Sequence, residues 1–252
     1  MAEAGDEHAL ALALPELVGA TDWMVTTASA TEQEEAVRLR VDAHVLAAGL
    51  LRRTGYKDLA WMLLHRARPG AREPLPVLVE EVRLLIDLVL PEYALARAAR
   101  AQDAGDHPDL PTPAAVAHAM AGRRRQAEDL PAVADQQAAD EQTQARLSVA
   151  RAAVAIEDSA FEEAADHARA ADRAVLPPAA RSHPLTFAAT TEARQGRITQ
   201  AAAHLVEAEA AAPLRLRLDP FAREAIAVLA ARTSDTGQAT AMRSPAERAG
   251  LR

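Results

Sequence analysis

Apolar residues recur every three to four positions along most of this chain, and no convincing run of alternating β-branched residues predicts a strand. Thr31-Glu32-Gln33-Glu34 reads as a capping box, and Val37, Val41, Val45, Leu46, Leu50 and Leu51 then predict a helix to about Arg53. Gly55 ends it, and YKDLAWMLLHRA predicts a second helix to Ala67, with Pro69 and Pro74 beyond. VLVEEVRLLIDLVL and EYALARAARAQD, joined at Pro91, predict another pair without a turn glycine. Asp103–Pro113 reads as a loop, Pro113 to about Asp129 and Ala132–Ile156 as helices meeting near Pro131, and Phe161–Pro178 as a further helix. His183–Pro213 reads as two helices around Gln195-Gly196-Arg197, and Pro220–Arg232 as one more. Residues 1–30 are expected to be irregular, with Leu10, Leu12, Leu14 and Leu17 forming a short helix or lying on the first repeat, and residues 233–252 to be a flexible tail.

Two glycines carry a repeat. Aligning Gly55 with Gly196 sets Ala60 opposite Ala201, Leu64 opposite Leu205 and Ala67 opposite Ala208. Ala188, Ala189, Ala201 and Ala208 would let the two helices around Gly196 approach closely. Phe161, Ala164 and Ala171 follow the same pattern, although Arg151 falls where an apolar residue is usual. Moving the register by one, onto Val149, Ala153 and Ile156, predicts a turn one residue shorter there. These hairpins resemble the tetratricopeptide (TPR) repeat, a helix-turn-helix of roughly 34 residues with a turn glycine, contact alanines and a terminal proline. The resemblance implies an all-α, TPR-like right-handed superhelix over residues 31–232, with about five helix pairs and a C-terminal capping helix that covers the last apolar face.

A narrower likeness rests on QARLSVARAAVAIEDSAFEEAADHA, ARQGRITQAAAHLVEAEAAAP, FAREAIAVLAAR and the closing AERAGLR. These segments are similar to the C-terminal TPR region of actinobacterial regulators that begin with a helix-turn-helix domain of the XRE type. Those regulators carry about 60 to 70 residues of DNA-binding domain ahead of the repeats. Here about 30 residues precede the first helix and hold no basic recognition helix, so no residue is assigned to DNA.

Composition narrows the function classes. Alanine supplies roughly a quarter of the 252 residues and aromatics only 3%, which suits thin helices in close contact. A net charge of −8 argues against the chain as a whole acting as a nucleic-acid clamp. With no cysteine there is neither a disulfide framework nor a thiolate metal site, as expected of a cytoplasmic protein. The N-terminus lacks the basic start of a secretory signal, and the most apolar window, Leu75–Leu95, is interrupted by Glu80, Glu81, Arg83, Asp87 and Pro91, so no membrane span is expected.

In TPR proteins the first helix of each pair lines a concave groove that takes peptides or small ligands. Carried over from the turn glycines, the groove positions are Asp42, Val45, Gly49, Arg52 and Arg53 in the first pair. The last pair supplies His183, Thr186, Phe187, Thr190 and Arg194, and the fourth supplies Arg146 with Val149 and Ala153. Arg52, Arg53, Arg146 and Arg194 would set guanidinium forks toward carboxylates, so the expected partner is a protein or peptide, an acidic one in particular, or a small anionic ligand. Against this stands the reading of the same arginines as solvated helix ends favoured by the helix dipole. Arg123-Arg124-Arg125 reads as a solvated helix end offset by Glu128 and Asp129. His167 and His204 fall one repeat apart, too far to share an ion, so no metal or cofactor is expected. The pairs Glu34-Glu35, Glu80-Glu81 and Glu162-Glu163 diverge by about 100° on a helix and cannot act as a catalytic dyad, and no catalytic fingerprint is present, so no enzyme is expected. A homodimer through Leu10–Leu17 and alanine-rich outer faces is the structural alternative.

Overall fold

The computed structural model describes residues 7–68, 73–129, 141–171, 174–176 and 178–232. These are all-helical, with no strand among the described residues. The chain divides into two compact units, His8–Ala121 and one that runs on from Gly122. The first holds α1 (Glu7–Thr27), α2 (Gln33–Arg53), α3 (Lys57–Ala67), α4 (Leu75–Asp87), α5 (Pro91–Ala104) and α6 (Pro111–Met120). The second holds a helical stretch at 124–129, then α7 (Glu141–Glu157), α8 (Phe161–Ala170), α9 (Pro178–Arg194), α10 (Ile198–Ala211), α11 (Pro213–Leu218) and α12 (Pro220–Arg232).

Four hairpins, α2–α3, α4–α5, α7–α8 and α9–α10, are joined by one and the same turn. In each, the residue after the helix donates its backbone N–H four residues back. The next residue is left-handed, and the third donates five residues back at 2.8 to 2.9 Å, from Tyr56 to Leu51, Leu90 to Leu85, Ala160 to Ala155 and Arg197 to Glu192. This is a Schellman ending, which satisfies carbonyls that the helix end would otherwise leave unpaired. Its left-handed position is filled by Gly55 (φ 90°), Val89 (φ 59°), Ser159 (φ 59°) and Gly196 (φ 78°). Counting from these four residues, position +5 is Ala60, Ala94, Ala164 and Ala201, position +9 is Leu64, Ala98, Ala168 and Leu205, and position +12 is Ala67, Ala101, Ala171 and Ala208. All twelve are buried. Small side chains at +5 and +12 bring the second helix close to the first, where dispersion contacts are densest.

Packing continues from hairpin to hairpin within each unit. α2 lies against α4 as well as α3, and Val41, Ala48, Ala60, Leu64, Ala67, Val77 and Leu84 form one cluster. In the second unit α9 lies against α7, α8 and α10. Ala222, Ala225, Ile226 and Leu229 of α12 join Leu185, Ala189, Leu205 and Ala208 in a single core, so α12 covers the apolar side of the last hairpin.

Several expectations are corrected. The segment before residue 30 is helical from Glu7 to Thr27, with Pro15 inside, because Leu10 and Leu14 pack against Ala47 and Leu50 of α2 and hold it there. Those two leucines are therefore spent inside the unit rather than offered to a second copy. The capping box expected at Thr31 does not form: α2 follows Glu32 without a side-chain cap, and Ser29 instead donates from its backbone N–H (3.2 Å) and its hydroxyl (2.6 Å) to Glu32 Oε2. The turn before Phe161 is not shortened; it has the same length and hydrogen bonds as the others, with Ser159 at the glycine's place. Residues 113–129 do not form one helix, since Gly122 (φ 70°) breaks it. α9 starts at Pro178 rather than His183 and carries Pro184 inside, and Pro213 opens the short α11 after closing α10. The expected boundary at Pro131 and the tail 233–252 lie outside the described residues.

Candidate functional site

Of the positions expected to line a groove in the His8–Ala121 unit, Arg52 is bound into a charge network. Gly49 is buried, and a Cβ there would stand 3.2 Å from Arg53 Nη1 and 3.3 Å from Glu80 Oε1, so its lack of a side chain lets α4 approach α2. Arg52 donates from Nε to Glu80 Oε1 and from Nη1 to Asp87 Oδ2, both at 2.7 Å. Glu80 also takes Arg83 Nη1 at 3.2 Å, and Arg83 Nη2 lies 3.3 Å from Asp109 Oδ2. Burial alone would make the Arg52 guanidinium a weaker base, but Glu80 and Asp87 outweigh it and hold Arg52 firmly protonated. Burial likewise pushes the Glu80 carboxyl upward, and Arg52 and Arg83 reverse that, leaving it below its ordinary range. Arg52 is thus neutralised by its own unit. Asp42 is exposed and lies 3.4 Å from Arg38 Nη1, while Val45 is half-buried against the α2–α4 cluster.

Glu81, one residue after Glu80, is only 1% exposed and faces a different set of arginines. Arg68 donates to it, Arg97 Nε lies 3.3 Å from its Oε2, and Glu73 takes Arg97 Nη1 at 3.1 Å. The two adjacent glutamates diverge as the helical angle requires, and each links α4 to different neighbours. A third cluster joins α1 to the first hairpin: Asp22 Oδ1 accepts from Arg40 Nε at 2.7 Å and Oδ2 from Arg66 Nη2 at 3.0 Å. Buried His44 donates from Nδ1 to the Arg40 carbonyl at 2.9 Å and sets Nε2 3.6 Å from Asp22 Oδ1.

In the unit that runs on from Gly122 the positions expected to bind are of another kind. Arg146 is exposed on α7 and Arg194 is exposed at the end of α9, its guanidinium 4.8 Å over the Phe161 ring. His183 is exposed, accepts from Arg215 Nη1 at 3.2 Å, and sits 6.3 Å from the Phe187 ring. Phe187 packs against Ala152, Ala168 and Ala188, so it joins α7, α8 and α9 as a packing residue. Thr186 is buried and Thr190 half-buried, and the Thr190 hydroxyl donates to the Thr186 carbonyl at 2.9 Å. His183, Thr186, Phe187, Thr190 and Arg194 share one helix, with Arg194 reaching over to α8.

Pattern reading missed a cavity of about 250 Å³ in this unit, lined by Arg124, Arg151, Asp158, Glu163 and His167 among others. Arg151 does stand eight residues before the left-handed residue, where Ala47 and Ala188 are buried in other hairpins. Its charge at a packing position was the available signal. Arg124 Nε donates to Glu128 Oε1 at 2.6 Å and lies 3.6 Å from Asp158 Oδ2, and His167 Nε2 lies 3.6 Å from Glu163 Oε1. Arg124 of the run at 123–125 is thus offset by Glu128, Asp158 and Glu163, while the run opens the helical stretch at 124–129 rather than closing a helix. Among the described residues no group of three or more histidine, cysteine or carboxylate side chains could hold a metal ion. Among them, too, no helix is long and apolar enough to cross a membrane. No protein-family model and no curated protein matches the chain.

Proposed function

We propose that this chain is a TPR-like helical-repeat scaffold, not an enzyme, that binds a protein, a peptide or a small anionic ligand on the inner faces of its first helices. One observation carries the reading: four hairpins share a turn, its hydrogen bonds and three buried positions at fixed offsets. Repeating hairpins cannot bury their apolar faces singly, and stacking them leaves a continuous inner surface for a partner. Arg146 and Arg194 are both exposed, and we assign them to an acidic partner. The sequence likeness to the XRE-type regulators supports a role as the sensing or interaction module of a bacterial regulator, in which binding alters the packing angle between neighbouring hairpins.

The test uses a dye-labelled glutamate-rich peptide and hydrogen exchange on the whole chain. Bound peptide slows exchange of the α9 amides. Arg146→Ala and Arg194→Ala each weaken binding about tenfold, and raised salt weakens it further. Identical exchange with and without saturating peptide refutes the acidic-partner reading.

A further inference from the structure

The turn between α4 and α5 differs from its three counterparts. Those read Thr54-Gly55-Tyr56, Asp158-Ser159-Ala160 and Gln195-Gly196-Arg197, whereas this one reads Leu88-Val89-Leu90. Val89 takes the left-handed position at φ 59° although its branched Cβ is badly suited to it, and it is 71% exposed. A glycine would relieve the backbone and a polar residue would suit the solvent, yet the position holds neither. Leu88 and Leu90 are exposed beside it, and Tyr93, one turn into α5, is 67% exposed.

The neighbouring hairpin continues the surface at equal offsets. Tyr56 and Leu90 each follow their left-handed residue by one, Leu59 and Tyr93 by four, and Tyr56, Leu59, Trp61 and Met62 are all exposed. Lys57 Nζ donates to the Asp87 carbonyl, which ties the start of α3 to the end of α4 and sets both turns at one edge of the unit. Leu59 and Met62 lie on one side of α3 and Trp61 on the other, so seven large apolar side chains, each offering on the order of 100 Å², come to roughly 700 Å², within the range of about 600 to 1,000 Å² per partner of a stable protein interface. Tyrosine and methionine, which the strip supplies, are among the residues that interfaces favour. The charges within the strip, Lys57, Asp58 and Glu92, are of both signs, in a chain whose net charge is −8. Nothing there selects a strongly basic or acidic partner, and nothing there repels a copy of the same strip.

From the strained apolar turn and the strip it continues, we propose that two copies of this chain associate through the Tyr56–Met62 and Leu88–Tyr93 edge. The interface is isologous, so each Val89 sits near the two-fold axis of a surface that meets itself. It is separate from the inner faces assigned to the ligand, and either proposal can fail without the other.

Light scattering and sedimentation of the full chain across a concentration series test it. The wild-type chain runs as a dimer that dissociates on dilution. Tyr93→Ser weakens the dimer at least about tenfold. Val89→Gly weakens it as well, while raising the Tm of the dissociated chain by a few degrees, because the left-handed strain is released. A purely structural Val89 would give the gain in Tm with an unchanged dimer. Leu12→Ser, on an exposed face of α1, leaves association unchanged. Circular dichroism checks that Tyr93→Ser is folded, and Val89→Gly, which only relaxes the backbone, keeps the test decisive if it is not. A concentration-independent monomer, or a dimer indifferent to both substitutions, overturns the proposal.

Discussion

Hairpins α4–α5 and α9–α10 have the same turn and the same buried alanines, yet they meet the problem of polar inner positions in opposite ways. α4 buries two carboxylates, Glu80 and Glu81, at 3% and 1% exposed, whereas α9 buries Ser182, Thr186 and Thr191 and a single carboxylate, Glu192, at 8%. A threonine hydroxyl satisfies itself within its own helix, as Thr191 does by donating to the Phe187 carbonyl at 3.0 Å and the Ala188 carbonyl at 2.9 Å. A carboxylate cannot donate to its own helix backbone: Glu80 takes Arg83 of α4 but also draws Arg52 from α2, and Glu81 draws Arg68 and Arg97 from outside the helix. α4 is therefore tied through charge to α2, α5 and the loop before α6, and its inner positions are spent on structure. α9 holds Thr191 within its own turn, its buried Glu192 takes Arg197 from just beyond the helix, and Arg194 stays at the surface. The difference places ligand binding, in our reading, in the second unit.

The largest expected effect follows from that contrast. Arg52→Ala strips buried Glu80 of its 2.7 Å partner and destabilises the first unit by about 3 kcal/mol, whereas Arg194→Ala costs less than about 1 kcal/mol. Both tryptophans, Trp23 and Trp61, lie in the first unit, so a urea titration read by fluorescence reports that unit. An Arg52→Ala midpoint equal to the wild type would show the network to be ornamental. Next in size is the shared packing: Ala94→Leu and Ala201→Leu should each cost about 2 kcal/mol by overpacking. A large difference between the two would mean that position +5 is not the same site in both hairpins.

Acid should reveal a further asymmetry. Burial draws the His44 imidazole below its ordinary 6.5, against the pull of the Arg40 carbonyl and Asp22. The unfolded chain then takes up this proton first, so stability is full above about 6.5 and declines as the pH falls toward the lowered folded value. Asp22 is shifted downward too: burial acts to raise its pKa, and the Arg40 hydrogen bond with the nearby His44, Arg40 and Arg66 charges outweighs that. Its contribution is present above 3.8 and is lost as the pH falls through its folded value. His44→Asn should remove the upper limb of the stability-pH curve of the first unit. Persistence of that limb in the variant would assign it to another group.

How far the chain could be read before folding depended on which residue filled the left-handed position. Gly55 and Gly196 announced their turns, and the burial of Ala60, Leu64, Ala67, Ala201, Leu205 and Ala208 followed from counting. Val89 and Ser159 adopt the same conformation without announcing it, which hid the equivalence of Ala94, Ala98 and Ala101 and led to a misplaced register around Arg151. The length of α1 was hidden because its stability comes from contacts of Leu10 and Leu14 with α2, which no local propensity records. The groove positions themselves were legible as places in a repeat. Whether an arginine there would face a partner or a glutamate of its own fold depended on Glu80, which is distant in sequence and read only as one of an adjacent pair.

The smallest effect isolates the turn from everything packed on it. No atom lies within 4 Å of a Cβ built at Gly196, so Gly196→Ala meets no clash and its cost is the left-handed backbone alone, about 1 kcal/mol. Ser159 already bears that cost, and Ser159→Gly should recover roughly 0.5 kcal/mol of it, less than the full amount because glycine also loosens the unfolded chain. Opposite signs from two substitutions at one position of one turn are what a shared Schellman geometry requires. If Ser159→Gly instead lowers the Tm, the serine side chain must supply a contact that the backbone pattern does not need, and the α7–α8 turn is then held differently from that of α9–α10.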